Sequence, residues 1–299
     1  MYNFTTAEKL LEICEEHDFS IDEVLLRREL NRDPLATREK ILAELDRRLN
    51  VLRDGINEGL HREDKSVGLM VGGIAKKLIS RFKNPEFHFF HSKVTTKAMI
   101  YAIATNENNA CMGKILAFPT AGAAGVTPGV LIAAQEEYGY KDDEMLRAML
   151  TASAIGLIIA ENATLAGAGG GCQAEIGSAA AMAAAALTQL RGGVPEQCVT
   201  AATLALKNTL GLVCDPIGGM VEVPCVKRNG IFSTMAISAS DLAMAGIESF
   251  VPFDQVVDAA KRIGDAMPEA HKETAMGGLA TTKIGLEQTK KLGIKITGV

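Results

Sequence analysis

The chain has 299 residues, of which 47% are hydrophobic and 22% are charged. This apolar fraction is enough to bury a sizeable core, which excludes a disordered chain. With 31 Lys and Arg residues against 36 Asp and Glu residues the net charge is −5, and there is no long basic run, so nucleic acid is not expected as a partner.

The N-terminal residues 1–60 predict a helical layer whose role is packing or contact with a partner. Its start lacks the basic residues and apolar stretch of a secretory signal, which predicts a cytoplasmic protein. Apolar residues at steps of three and four from Ile41 to Leu60 indicate one long helix over residues 37–60. Two shorter helices are expected before it, over residues 6–17 and 21–30.

Residues 61–299 are expected to form a second unit in which Gly-rich loops alternate with helices. The glycines of residues 68–73 predict a loop. A helix resumes at Thr95 and runs towards Asn109. The small residues of 119–129 then predict a further loop, in which backbone amides can approach a ligand.

The rest of the chain predicts helices and no succession of strands. The expected helices span residues 130–138, 142–160, 174–190, 195–210, 226–247 and 254–266. The most apolar windows are shorter than the roughly 20 apolar residues that cross a bilayer, so no membrane association is expected. The predicted fold class is all-α, with Gly-rich loops converging on a metal site.

Three cysteines, Cys172, Cys214 and Cys225, lie where Gly- or Pro-rich loops meet predicted helices. Backbone amides at a helix start stabilise the thiolate, the form that binds metals. Three thiolates are one fewer than a closed cluster or a structural zinc site takes, so a metal bound here would keep one position open. Their long, unequal spacings are also compatible with three buried core cysteines. The other cysteines lie in or beside apolar helical patterns and are predicted to be structural: Cys14, Cys111 and Cys198.

Several long segments resemble one known family. They are the segments 104–113, 119–122, 168–178 (AGGGCQAEIGS), 210–219 (LGLVCDPIGG), 221–229 (VEVPCVKRN) and 277–280. Together they resemble the alpha chain of the iron-sulfur-dependent L-serine dehydratases, also called L-serine ammonia-lyases. The resemblance covers nearly the whole chain, most strongly residues 100–285 and weakly the first 60.

The resemblance implies a [4Fe-4S] cluster bound by Cys172, Cys214 and Cys225, with the fourth iron free for substrate. It further implies that residues 61–299 form the catalytic domain of a lyase. The expected reaction is elimination of water from L-serine, giving pyruvate and ammonia, with the open iron acting as a Lewis acid on the hydroxyl. The same elimination on threonine or cysteine remains an alternative, as does a non-catalytic iron-sulfur sensor.

A pyridoxal phosphate enzyme is a further alternative, because residues 167–171 are Gly-rich and could cradle a phosphate. The sequence has no upstream Ser-x-Lys motif and no alternating strands and helices of the kind such enzymes use. This alternative is therefore disfavoured.

The substrate is expected to bind at two polar segments. Thr120 and Gly122 are expected to bind its carboxylate, because the Pro-Thr-Ala-Gly turn exposes backbone donors with little side-chain bulk. Asn106, Glu107 and Asn109 are expected to orient the ammonium group or to surround the cluster. A close helix-packing turn and helix capping are the respective structural alternatives.

Lys227 and Arg228 follow Cys225 directly and are expected to offset the negative charge of the cluster, with Lys227 also assigned to the substrate site. A solvated helix start is the alternative for both. No general base is assigned, because every histidine lies outside the strongest matches: His17, His61, His88, His91 and His271.

The sequence lacks the Ser-Ser-Ser-His-Thr segment that the other part of the family's enzymes contains. The resemblance therefore implies a beta subunit as partner, which would supply the base. L-Serine is the expected substrate, and we expect the chain to be part of an oligomer.

Overall fold

A computed structural model describes residues 2–294 of the chain, and the predicted all-α fold is confirmed for them. Their α-helices are α1 (Ala7–His17), α2 (Ile21–Arg32), α3 (Arg38–His61), α4 (Ile74–Lys83), α5 (Lys93–Ala110), α6 (Val126–Tyr138), α7 (Asp142–Asn162), α8 (Gly167–Gly170), α9 (Ser178–Leu190), α10 (Pro195–Lys207), α11 (Cys225–Met244), α12 (Phe253–Ala266) and α13 (Lys283–Lys291). Within residues 2–294 the only β-type pairing is an isolated parallel bridge between Cys214 and Lys272.

Helix α9 is the centre of the core. Twelve of its thirteen residues are buried, and α7, α10, α11 and α6 pack around it. Most of its side chains are alanine, and such small side chains let neighbouring helices approach closely while the interior stays densely packed.

Helices α5 and α6 pack together through small residues. A Cβ at Gly129 would lie only 2.7 Å from the backbone N of Ala102 and the backbone O of Ala98. Real Cβ atoms do not approach backbone so closely, so only glycine permits this spacing. The close contact positions the turn before α6 against the C-terminal half of α5.

The first three helices pack onto the same hydrophobic core as the rest of the chain. Their buried side chains, such as Leu10, Val24 and Leu49, belong to the cluster that includes Met145 and Ile155 of α7. The division into residues 1–60 and 61–299 remains a prediction.

The structure corrects one predicted loop. Residues 127–129 are not part of a ligand-facing loop, because α6 begins at Val126 and buries them in its first turn. Proline is compatible with a helix start, where the N–H that it lacks has no intrahelical partner. Helices α4, α8 and α13 were not predicted, and α10 and α11 end three residues earlier than predicted, at Lys207 and Met244. None of the helices described is long and apolar enough to cross a membrane.

Candidate metal centre

Cys172 follows the Gly-rich turn of α8 and begins the helical segment that leads into α9. The backbone at Gly171 has a φ of +75°, and a Cβ there would lie 2.9 Å from the carbonyl oxygen of Leu212. Glycine is therefore required immediately before the cysteine. Residues Gln173–Gly177 then form one π-helical turn, a rare distortion that is frequent at functional sites.

The buried side chain of Gln173 joins the loops of Cys172 and Cys214. Its Oε1 accepts a hydrogen bond from the backbone N–H of Gly211 at 2.9 Å, and its Nε2 donates to the carbonyl of Ala260 at 2.8 Å. The backbone N–H of Gln173 also donates to Leu212 O at 3.0 Å. The bonds to Gly211 and Leu212 fix the register between the two cysteine loops, and the bond to Ala260 attaches them to α12.

Cys214 lies in an extended segment that pairs with residues 271–273. Its N–H donates to His271 O at 2.9 Å, and its carbonyl accepts from the N–H of Glu273 at 2.9 Å. The pairing places a glutamate from a distant part of the sequence beside the cysteine. Through the same pairing, the backbone of His271 contacts Cys214, a candidate ligand.

Cys225 is the first residue of α11, and the buried Asn229 one turn later connects it to the turn before α6. The Nδ2 of Asn229 donates to Cys225 O at 2.9 Å and to Gly122 O at 2.8 Å, while its Oδ1 accepts from Gly125 N at 2.9 Å. Both N–H donors and the carbonyl oxygen of this fully buried amide thus have partners, and together they join two loops. Asn229 has no local sequence signal for this role.

The structure brings the thiols of Cys172 and Cys214 into contact. A hydrogen bond from the Cys214 thiol lowers the pKa of Cys172 despite its burial, and the nearby charge of Arg228 acts in the same direction. The same bond raises the pKa of Cys214 above the ordinary range, as does burial. Burial also raises the pKa of Cys225 to about 12, with the Cys172 charge as the second cause. The pKa values of Cys172 and Cys214 are thus linked through one hydrogen bond, whereas burial is the main influence on Cys225.

Two carboxylates lie beside Cys214. Ligand atoms of Glu175, Cys214 and Glu273 all lie within 4.8 Å of one another. Thr120 Oγ1 donates to Glu175 Oε1 at 2.8 Å. Burial raises the pKa of Glu175, and the charge of Glu273 adds to this shift. The sequence analysis missed both glutamates, since no local spacing connects residues so far apart in the chain.

The predicted substrate turn is adjacent to this cluster. Ideal Cβ placement at Gly122 would bring that atom within 3.2 Å of both Glu175 carboxylate oxygens. The turn itself is fixed by amides of α5: Asn106 Nδ2 donates to Ala121 O at 3.0 Å, and Asn109 Nδ2 donates to the same oxygen at 3.4 Å. Asn106 Oδ1 is buried and has no hydrogen-bond partner among residues 2–294.

Comparison with known proteins decides the family. The family model "Serine dehydratase alpha chain" matches residues 9–280. The chain belongs to the serine dehydratase alpha chain family. Among its relatives is the "Probable L-serine dehydratase, alpha chain" of Bacillus subtilis, 44% identical over 289 residues that cover 97% of this chain and 95% of the relative. The "L-serine dehydratase, alpha chain" of Peptoniphilus asaccharolyticus is 42% identical over 94% of this chain and 95% of the relative.

Some relatives are longer than this chain. The "L-serine dehydratase TdcG" of Escherichia coli is 35% identical over 93% of this chain, and the match covers 62% of that relative. The remaining part of that relative lies outside the match.

Two predicted substrate residues of this serine dehydratase alpha chain lie apart from the cluster of thiols and carboxylates. The buried carboxylate of Glu107 accepts hydrogen bonds at 3.0 Å from the N–H groups of Ile74 and Ala75, so it caps helix α4, as the capping alternative states. Lys227 is exposed, which agrees with the solvated helix start. Their roles in substrate binding remain predictions.

Arg228, in contrast, points back to the cysteine loops. Its Nη1 donates to Val213 O at 3.0 Å and its Nη2 to Asp215 Oδ1 at 3.1 Å. Asp215 Oδ2 in turn accepts from the N–H of Leu279 at 2.9 Å, so one ion pair connects α11, the Cys214 loop and the segment that follows Glu273. The guanidinium thus places positive charge beside the candidate ligands.

Proposed function

We propose that this chain is the cluster-binding subunit of an L-serine dehydratase, which converts L-serine to pyruvate and ammonia by elimination of water. The proposal depends on one observation above all. Buried thiols from separate loops meet beside the Thr120–Gly122 turn, where an amino acid has both polar donors and carboxylates within reach. The printed names of the relatives support serine as the substrate.

The donor set fits a [4Fe-4S] cluster bound by three cysteines. Cys172, Cys214 and Cys225 are each at least nine-tenths buried, and thiolates are the usual protein ligands of iron-sulfur clusters. Arg228 compensates negative charge at Cys172. The chemistry that such a cluster supplies when bound is Lewis acidity toward the serine hydroxyl.

The substrate would lie against the turn before α6. We propose that its carboxylate binds the backbone amides at Thr120 and Gly122, which three buried or half-buried asparagines hold in place: Asn106, Asn109 and Asn229. The ammonium group would face the carboxylates of Glu175 and Glu273, where opposite charge is favourable. Fixing both ends of the amino acid orients its α-hydrogen and its hydroxyl for elimination.

We propose that a beta subunit supplies the general base. The relatives from Bacillus subtilis and Peptoniphilus asaccharolyticus are named alpha chains, which implies a further chain, and the longer Escherichia coli relative extends well beyond the matched region. The active enzyme would then be a hetero-oligomer, and we place it in the cytoplasm.

The test is pyruvate formation after anaerobic reconstitution with iron and sulfide, with and without a co-expressed beta chain. We expect serine-dependent pyruvate only when both chains are present. Threonine and cysteine, assayed in parallel, test the alternative substrates. A two-chain protein that carries its full cluster and turns over none of the three amino acids would contradict the proposal and favour a sensor.

A further inference from the structure

We propose that Cys214, Glu175 and Glu273 form a binding site for a single divalent transition-metal ion, such as Fe²⁺ or Zn²⁺, in the chain before a cluster is assembled. The inference goes beyond the proposed function, because a single ion at this position requires neither a cluster, nor serine, nor a second subunit.

The geometry that carries the proposal is centred on Gly167. A Cβ built on this residue would lie 3.0 Å from Cys214 Sγ, 3.0 Å from Glu175 Oε2 and 3.2 Å from Glu273 Oε2. Three potential ligands therefore converge on Gly167, where a side chain would crowd them. A tetrahedral ion with ligands at about 2.0–2.3 Å holds its donors about 3.3–3.8 Å apart, and these donors, all within 4.8 Å of one another, reach that spacing with small side-chain movements.

Neither carboxylate forms a salt bridge with a lysine, arginine or histidine among residues 2–294. Thr120 occupies Oε1 of Glu175 and leaves Oε2 on the side of Cys214. The Glu273 side chain takes part in no hydrogen bond or ion pair with any residue between 2 and 294 whose contacts are described. Arg228, whose charge acts on Cys172, pairs with Asp215 and is not among the groups that shift the pKa of Glu175. A cation between the carboxylates would relieve their mutual repulsion.

The composition of the site selects the class of ion. One sulfur and two carboxylate oxygens suit Fe²⁺, Co²⁺ and Zn²⁺, whereas Mg²⁺ and Ca²⁺ prefer oxygen ligands alone. Binding would release the proton of the Cys214 thiol, since a thiolate is the metal ligand. The site would thus capture the first iron beside the other two cysteines, at the place where the proposed cluster is built.

The experiment is a Co²⁺ titration of the cluster-free full chain under anaerobic, reducing conditions. We expect one Co²⁺ per chain, with visible d–d bands and a thiolate-to-cobalt charge-transfer band. Cys214→Ser should abolish the charge-transfer band. Glu273→Gln should weaken binding at least about tenfold, since even the loss of a residue that only orients a ligand costs about 10- to 100-fold.

A second pair of variants tests the cavity itself. Gly167→Ala retains every donor but places a methyl group among them, so it should weaken Co²⁺ binding as strongly as Glu273→Gln. Gly169→Ala is the matched control, because the atoms nearest to its Cβ all belong to the Thr164 side chain, and it should bind like the wild type. Glu269→Gln is the control for the carboxylate change, since Glu269 is exposed in the same segment as Glu273. Far-UV circular dichroism checks that each variant is folded.

Two outcomes would overturn the proposal. If Cys225→Ser abolishes binding while Glu273→Gln and Gly167→Ala have no effect, the ion binds to the three cysteines instead. If excess Mg²⁺ displaces Co²⁺, the site consists of carboxylates alone. The proposed dehydratase function is tested separately, by pyruvate formation in the reconstituted two-chain enzyme. Its failure would leave the cobalt titration of the cluster-free chain unchanged.

Discussion

At the scale of single residues, the hydroxyl of Thr120 orients the carboxylate that faces the cysteines. Thr120→Val keeps the shape of the side chain and removes the hydrogen bond to Glu175. A hydrogen bond to a charged group contributes about 1.5–3 kcal/mol, so we expect kcat/KM for serine to fall at least about tenfold in the reconstituted two-chain enzyme. Thr120→Ser should restore most of it. Equal activity of the valine variant and the wild type would show that the hydrogen bond has no role in turnover.

Cysteine reactivity separates the structural cysteines from the others. Burial raises the pKa of Cys14 and of Cys198 to about 12, so both remain thiols at pH 8 and lack the nucleophilic thiolate. We expect iodoacetamide to leave both unmodified in the folded chain and to label them after unfolding in urea, as measured by mass spectrometry of peptides. Labelling of native Cys198 at the rate of a free cysteine would contradict this assignment.

The sequence predicted part of the candidate site at this scale and missed the rest. Cys172 and Cys225 could be recognised because a Gly- or Pro-rich loop before a helix leaves a local pattern. Glu175 and Glu273 could not, because they meet only through the pairing of Cys214 with residues 271–273, a long-range contact with no local signal. Asn229 was missed for the same reason.

At the scale of elements, Glu107 holds the start of α4. Each of its carboxylate oxygens accepts one backbone N–H, and both donors belong to the first turn of that helix. Glu107→Gln leaves one buried donor poorly paired, so we expect the free energy of unfolding to fall by about 1–2 kcal/mol, measured in urea. The control Glu86→Gln alters an exposed side chain and should have little effect. If Glu107→Gln instead raises KM for serine at unchanged stability, Glu107 belongs to the substrate site.

Helix boundaries followed the sequence wherever capping and periodicity agreed. The predicted helix over residues 37–60 is observed as α3, with Thr37 accepting the capping hydrogen bond from Lys40 N. The start of α6 was placed too late, because Thr127-Pro-Gly129 has the composition of a loop. Contact with α5 outweighs that local preference, since Gly129 allows the two helices to approach.

At the scale of the whole molecule, the all-α class was predictable because apolar periodicity is a local property of the chain. The convergence of the cysteine loops was not, since it depends on how α9, α11 and the segment around Cys214 pack. The side chains of Gln173, Asn229 and Arg228 bridge these elements, and the first two are almost fully buried. The candidate cluster site is therefore a product of tertiary structure.

The central claim is that Cys172, Cys214 and Cys225 together bind one iron-sulfur cluster, and iron content after anaerobic reconstitution tests it most directly. Cys198→Ser is the matched control, because it replaces a buried cysteine remote from the three loops. We predict about four irons and a brown chromophore per chain for the wild type and Cys198→Ser, and loss of both in Cys214→Ser. Wild-type iron content and colour in Cys214→Ser would contradict the account.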